Sequence, residues 1–274
     1  MTSTKITILG AGNMGTALLG GLIANDFPAK DICISDPDTE KLSTLKNQYH
    51  IQTAENNLEA CQAANVILFA VKPQMMASIA KPLASIIQKN KSLVLSIAAG
   101  IRIQNMQNWL GEATPIVRCM PNTPALLRAG VTALFANAHV NATQKALADD
   151  ILRAVGLTVW LSDEKLLDAV TALSGSGPAY FFLMMDALQQ TGIQLGLPPE
   201  TAKLLTVQTA LGAARMAIET NVPLDELKRR VTSKGGTTEA ALHVLEHGKL
   251  SELFREALFA AEKRSNELAS SDEG

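Results

Sequence analysis

The segment Gly10-Ala11-Gly12-Asn13-Met14-Gly15 constrains this chain more than any other. It directly follows a β-prone run at residues 5–9 and leads into a helix-forming stretch. In a strand–turn–helix setting, Gly10 permits the tight turn, Gly12 lets the backbone approach a pyrophosphate, and Gly15 lets helix and strand pack closely. The helix N-terminus then offers oriented N–H donors to the anion. Residues 6–25 carry no charge, which superficially resembles a signal peptide or a spanning helix. The glycines at 10, 12, 15, 20 and 21, with Asn13 and Thr16 among them, instead mark a strand, a turn and a helix. The expected location is therefore the cytoplasm.

The rest of the first 160 residues keeps that rhythm. Apolar runs at 32–34, 66–71 and 93–98, with weaker ones at 116–120, 131–135 and 158–161, alternate with helical stretches near 14–25, 39–49, 75–87, 102–110 and 143–155. Continuous runs such as Val66-Ile67-Leu68-Phe69-Ala70-Val71 suit parallel strands covered on both faces. The pattern predicts a Rossmann-type, doubly wound α/β sheet over 1–161. After residue 162 the strands stop. Stretches 163–173, 178–196, 199–219, 224–231, 238–247 and 251–270 read as helices, and the last residues, 270–274, as a frayed tail. An all-helical domain over 162–274 is expected.

Composition narrows the function. Lys plus Arg number 24 and Asp plus Glu 26, a net charge of −2, with no basic face for a nucleic acid and no polybasic membrane anchor. Hydrophobic residues at 47% exclude disorder, while only 18% charged residues imply more buried surface than one compact monomer needs. A homo-oligomer follows. Three scattered cysteines, Cys33, Cys61 and Cys119, form neither a disulfide framework nor a zinc site and fit a reducing compartment.

Asp36 closes the second strand, about 20 residues beyond the last glycine of the turn. There an acidic residue would bond the adenosine ribose 2′-hydroxyl and disfavour a 2′-phosphate, favouring NADH. Asp36-Pro37-Asp38 also suits a turn that caps the helix from Thr39, and both readings stand. Two more strand ends, Ala70-Val71-Lys72-Pro73 and Ala98-Ala99-Gly100, should face the same crevice.

In the helical half, Val231-Thr232-Ser233-Lys234-Gly235-Gly236-Thr237-Thr238 gathers hydroxyls and glycines before a helix. Such a loop suits a carboxylate, although Thr237 or Thr238 could serve only as a cap. Through this loop the chain resembles the pyrroline-5-carboxylate reductase family. The signature runs from Pro223 through Leu227, Val231-Thr232-Ser233, Gly235-Gly236 and Thr238 to Leu245-Glu246. Arg118-Cys119-Met120-Pro121-Asn122-Thr123-Pro124 and Leu173-Ser174-Gly175-Ser176-Gly177-Pro178-Ala179-Tyr180 extend it over nearly the whole length.

The resemblance implies hydride transfer from a nicotinamide to the C=N carbon of Δ1-pyrroline-5-carboxylate, giving L-proline. It implies that Thr238 bonds the ring nitrogen, that Ser233, Gly235, Gly236 and Thr237 hold the carboxylate, and that Met120, Pro121 and Asn122 line the floor beneath the nicotinamide. The coenzyme set is then Leu9, Gly10, Gly12, Asn13, Met14, Gly15, Ser35, Asp36, Asn56, Ala70, Val71, Lys72, Pro73, Ala98, Ala99 and Gly100. NADPH is expected first on resemblance, with NADH as the alternative. A homodimer through the helical domain is expected, with an assembly of dimers left open. Lys234 departs from the family, where many relatives carry proline.

Rival readings are weaker. His243-Val244-Leu245-Glu246-His247 matches a helical zinc-protease pattern, but Gly248 ends that helix at once. Asn141-Ala142-Thr143 matches a glycosylation acceptor that a cytoplasmic chain would not use. A β-hydroxyacid dehydrogenase would need a lysine base in the helix after Ser174-Gly175-Ser176-Gly177, and residues 178–196 contain none. A nucleotide-sensing module would keep the glycine turn but have no use for the loop at 231–238. The apolar stripe Tyr180, Phe181, Leu183, Met184, Met185, Leu188 reads as core or subunit interface.

Overall fold

The computed structural model describes residues 4–271, with side chains through Ala269. Strands β1 (Ile6–Leu9), β2 (Ile32–Ser35), β3 (Gln52–Ala54), β4 (Val66–Phe69), β5 (Leu93–Ser96), β6 (Ile116–Met120), β7 (Gly130–Ala136) and β8 (Gly156–Trp160) form one sheet. Their order is β3-β2-β1-β4-β5-β6-β7-β8. The connecting helices are α1 (Asn13–Ala24), α2 (Thr39–Tyr49), α3 (Asn57–Ala60), α4 (Met76–Asn90), α5 (Ile103–Leu110) and α6 (Ala142–Arg153).

The apolar runs act as expected of strands buried on both faces. In β4, Val66 and Leu68 join Leu18, Leu22, Ile34 and Ile151 in one core, while Ile67 and Phe69 join Leu83, Met106 and Leu110 in the other. The two-residue period of a strand sends alternate side chains into separate cores.

Two features of the sheet depart from the sequence reading. β3 was not expected, because Gln52-Thr53-Ala54 is a short edge strand without an apolar run. The sheet is also not parallel throughout: β7 runs antiparallel to β6, and β8 parallel to β7. A parallel crossover needs a dozen or more residues, usually including a helix. Between β6 and β7 the chain supplies only a short 3-10 turn, Thr123–Leu127, and folds straight back.

Beyond the sheet come α7 (Leu166–Val170), a π-helical turn at Thr171–Gly175, then α8 (Gly177–Gln194), α9 (Pro199–Glu219), α10 (Leu224–Arg230), α11 (Thr237–His247) and α12 (Leu250–Ser271). The stretch expected as one helix over 163–173 is thus α7 followed by the π turn, in which Ser176 N–H donates to Thr171 O at 2.9 Å. The expected frayed tail is helical through Ser271, and its remainder lies outside the described residues.

The described residues divide into two compact units, one running through Ser176 and resuming at Ala261, the other 177–260. The first unit thus extends past the expected division at 161/162 and reclaims the end of α12. A polar network holds that end. Ser265 Oγ donates to Asp168 Oδ1 at 2.8 Å, Arg102 donates to Asn266 Oδ1 at 3.1 Å, and Arg102 pairs with Asp168 at 3.4 Å. Arg118, buried on β6, pairs with Glu164 at 2.9 Å.

Within the second unit only Gly177 and Ala202 are buried among the described residues. Much of the stripe on α8 is open in the single chain, with Phe181 at 58% and Leu183 at 71% exposure. Among the described residues, no helix is long and apolar enough to cross a membrane.

Candidate functional site

Where β1 and β4 lie side by side, the strand order reverses, and this is the switch point at which open α/β sheets bind ligands. The carboxyl ends of β1, β2, β4 and β5 share this edge, because the four strands are parallel. Leu9, itself buried, leads into Gly10, whose φ of +102° only glycine adopts without strain. Gly10 N–H donates to Ser35 O at 2.8 Å, and a Cβ at position 10 would lie 2.5 Å from Ala70 O. A Cβ on Gly15 would collide with Gly10 O. Gly12 is the opposite case: nothing lies within 4 Å of where its Cβ would be.

The turn therefore packs tightly where strand meets helix and stays open where a pyrophosphate would approach. Gly12 is the N-cap of α1 and brings no side-chain cap, so the first N–H groups, beside exposed Asn13 and half-buried Met14, have no side-chain acceptor there. These residues fit a dinucleotide.

Asp36 has a distinct geometry. Its Oδ2 accepts from Ala11 N–H at 2.7 Å, and its Oδ1 accepts from Asp38 N–H at 3.0 Å. The cap of α2 is Asp38, which accepts from Lys41 N–H at 3.0 Å. Asp36 is free of that duty and fastens the glycine turn to the end of β2. Ser35 is buried and its hydroxyl donates to Asn57 Oδ1 at 2.8 Å, so its side chain serves the strand end. Asn56 caps α3 through Leu58 N–H at 2.8 Å and is otherwise exposed.

At the next strand ends, Ala70, Val71 and Pro73 are half-buried and Lys72 is exposed. Ala98 and Gly100 are buried and Ala99 half-buried. Gly100, at φ +80°, packs against Leu268 and Ala269 of α12.

At the end of β6, Pro121 is buried and Met120 half-buried. The Asn122 amide is engaged at both ends: Oδ1 accepts from Val131 N–H at 3.0 Å and Nδ2 donates to Ser174 Oγ at 3.3 Å. Asn122 thus ties the β6 end to β7 and to the π turn, and a π turn often marks a functional segment.

In the second unit, Gly235 takes φ +72° and Gly236 N–H donates to Ser233 O at 3.0 Å, closing a tight turn. Gly236 is the N-cap of α11, again without a side-chain cap. Thr237 and Thr238 open the helix, Thr237 exposed and Thr238 half-buried. Glu239, to which sequence reasoning gave no role, accepts from Gly235 N–H through Oε2 at 2.6 Å. Its signal was available, since a glutamate three residues after an N-cap commonly reaches back over the helix start.

The remaining motifs have structural explanations. His247 Nδ1 lies 2.9 Å from the His243 carbonyl of its own helix, and no group of three or more metal-ligating side chains occurs among the described residues. Asn141 forms a capping box with Gln144. Burial pushes the Cys33 thiol up to about 11 and Cys61 to about 12, and raises fully buried Cys119 as well, which disfavours the thiolate at neutral pH.

A glycine turn at the switch point of an α/β sheet, joined in one chain to a helical unit with a hydroxyl- and glycine-rich loop, defines a dinucleotide-dependent oxidoreductase. Residues 5–100 match the family model "NADP oxidoreductase coenzyme F420-dependent", and residues 164–268 match "Pyrroline-5-carboxylate reductase dimerisation". A pyrroline-5-carboxylate reductase of Pseudomonas aeruginosa is 49% identical over 98% of both chains. The structure of one from Coxiella burnetii superposes with a TM-score of 0.94 at 47% identity, covering 98% of this chain and 99% of that one. The Plasmodium falciparum enzyme, solved with NADP bound, gives 0.87 at 30% identity over 98% and 99%. The chain belongs to the pyrroline-5-carboxylate reductase family.

Proposed function

We propose that this chain reduces Δ1-pyrroline-5-carboxylate to L-proline with NAD(P)H, using the glycine turn for the coenzyme and the loop at 231–238 for the substrate. The observation that carries the reading is the pair of uncapped helix starts. Gly12 before α1 and Gly236 before α11 bring no side-chain cap, so each helix start keeps N–H donors that can meet an anion. One suits a pyrophosphate and the other a carboxylate.

When bound, the reduced nicotinamide supplies the hydride for the C=N carbon. The chain's own residues bind and orient. Gly10, Gly12 and Gly15 shape the turn, and Ala70–Pro73 and Ala98–Gly100 border the same crevice. Ser233, with the backbone of Gly236 and Thr237, holds the carboxylate, while Gly235 shapes the turn. Met120, Pro121 and Asn122 form the floor. The Thr238 hydroxyl donates a hydrogen bond to the ring nitrogen and assists its protonation. Protonation at that nitrogen makes the C=N carbon electrophilic, so placement and one hydroxyl donor suffice without a metal or covalent nucleophile.

The helical unit is a dimerisation domain, and a homodimer built on it, with further assembly of dimers open, is part of the proposal. So is a cytoplasmic setting, supported by the free thiols. NADPH is taken as the coenzyme, with NADH as the alternative that Asp36 favours.

Consumption of NADPH or NADH at 340 nm with pyrroline-5-carboxylate tests the activity. A chain that binds coenzyme but turns over no imine would instead be a nucleotide sensor. Thr238→Ala should lower kcat about 100-fold while leaving coenzyme KM within twofold. Unchanged kcat would remove Thr238 from the chemistry.

A further inference from the structure

We propose that Glu239 is the positioning residue of the substrate loop, its carboxylate pinning Gly235 N–H so that Ser233 and the start of α11 are held ready for the substrate carboxylate. The inference rests on the reading of residues 233–238 as the carboxylate seat.

The turn contains little else to fix it. Gly235 sits at φ +72°, a conformation with a large entropy cost of ordering, and Lys234 has no ring to restrict φ before it. Residues 233–235 are all exposed, so no packed core immobilises them. Two backbone donors of the turn are accounted for. Gly236 N–H donates to Ser233 O at 3.0 Å, and Gly235 N–H donates to Glu239 Oε2 at 2.6 Å.

The second bond is short and charge-assisted, hence among the stronger kinds. It ties the outermost residue of the turn to the first turn of α11. Ser233 is thereby kept against Gly236, where an added Cβ would strike its hydroxyl. The N–H groups of Thr237, Thr238 and Glu239 begin the helix and have no acceptor within it. They remain, with the Ser233 hydroxyl, to meet an anion.

The same carboxylate brings a penalty. It places a negative charge beside a seat for a negative substrate, relieved in part by the positive end of the α11 dipole. Acceptor and charge can be separated. Glutamine keeps an oxygen for Gly235 N–H and removes the charge. Alanine removes both. Aspartate keeps the charge but is one methylene too short to reach. A seat that binds ground and transition states alike should be read in KM.

Steady-state kinetics of the full-length enzyme with pyrroline-5-carboxylate at saturating coenzyme test this. Glu239→Ala and Glu239→Asp should each raise substrate KM at least fivefold, with kcat and coenzyme KM within twofold of the parent. Glu239→Gln should restore KM to the parental value or below it. The proposal is overturned if Glu239→Ala leaves KM within twofold while Ser233→Ala raises it, since the seat would then stand without the pin. It is equally overturned if Glu239→Gln is as impaired as Glu239→Ala. Should Ser233→Ala also leave KM unchanged, the seat itself is wrong, and the pin falls with it. If the alanine variant does not fold, the aspartate and glutamine pair decides.

Discussion

Asp36 shows how one side chain can serve the fold and the chemistry together. Its two oxygens accept from Ala11 and Asp38 N–H groups, which holds the carboxylate in place against the glycine turn. A carboxylate tethered at the end of β2 by two backbone donors stays where a ribose 2′-phosphate would approach. Asp36→Ser should raise the ratio of kcat/KM for NADPH over NADH about tenfold, the equivalent of about 1.4 kcal/mol of relieved repulsion. An unchanged ratio would show that this carboxylate only fastens the turn. The sequence placed Asp36 at the right strand end but left open whether it capped α2. That duty belongs to Asp38, two residues on, and no spacing rule separates two aspartates flanking a proline. Glu239 was legible in principle as a helix-start glutamate, yet only the fold shows it reaching the loop. Ser174 was visible in the sequence as part of a motif, while its bond to Asn122 depends on a π turn that has no simple sequence signal.

The edge of the sheet makes the corresponding case for elements. α6 is fastened to β8 by Asp149, which accepts from Arg153 Nε, from Thr158 Oγ1 at 2.6 Å and from Trp160 Nε1 at 3.0 Å. Partial burial alone would raise its pKa, but the three donors outweigh that and hold it below the usual carboxylate value. The ionised form is therefore favoured by folding. Its stabilisation is complete above the unfolded value near ~4 and is lost as pH falls through the lower folded value. Asp149→Asn should cost about 1–2 kcal/mol at neutral pH. The gap in Tm between parent and variant should hold from pH 7 to about pH 5 and shrink toward pH 3. A gap as wide at pH 3 as at pH 7 would show that packing, not the ionised carboxylate, joins the two elements. At this scale most of the α/β half was legible, because apolar runs and helix caps are local signals. The direction of β7 was set by the length of one connection, and β3 by pairing with a neighbour. Neither is written in a periodic pattern.

At the scale of the whole molecule, the second compact unit poses a physical problem in a single chain. Its helices bury only Gly177 and Ala202 among the described residues, while Phe181, Phe182, Leu183, Leu204, Leu211 and Ile218 are more than half exposed. A stripe that is apolar nearly all round a helix is unstable in water and marks an interaction surface. The low charge content of the sequence already pointed to more buried surface than one compact monomer needs. The match of 164–268 to a dimerisation model indicates where that surface lies. A second copy covering α8 and α9 would supply the core this unit lacks, so folding and association should be one event. Stability then depends on concentration, since anything that binds only the folded state raises Tm by mass action. A tenfold rise in protein adds about 1.4 kcal/mol per dimer. Spread over the unfolding entropy of two chains, that moves Tm by about 1 °C. Over a hundredfold range, about 2 °C is expected, with sedimentation reporting twice the chain mass at micromolar concentration. Dilution far enough to split the dimer should lower helical circular dichroism and abolish turnover together. A monomer at micromolar concentration with a Tm independent of dilution would mean that the helical unit is stable alone, and that its exposed leucines and phenylalanines serve some other partner.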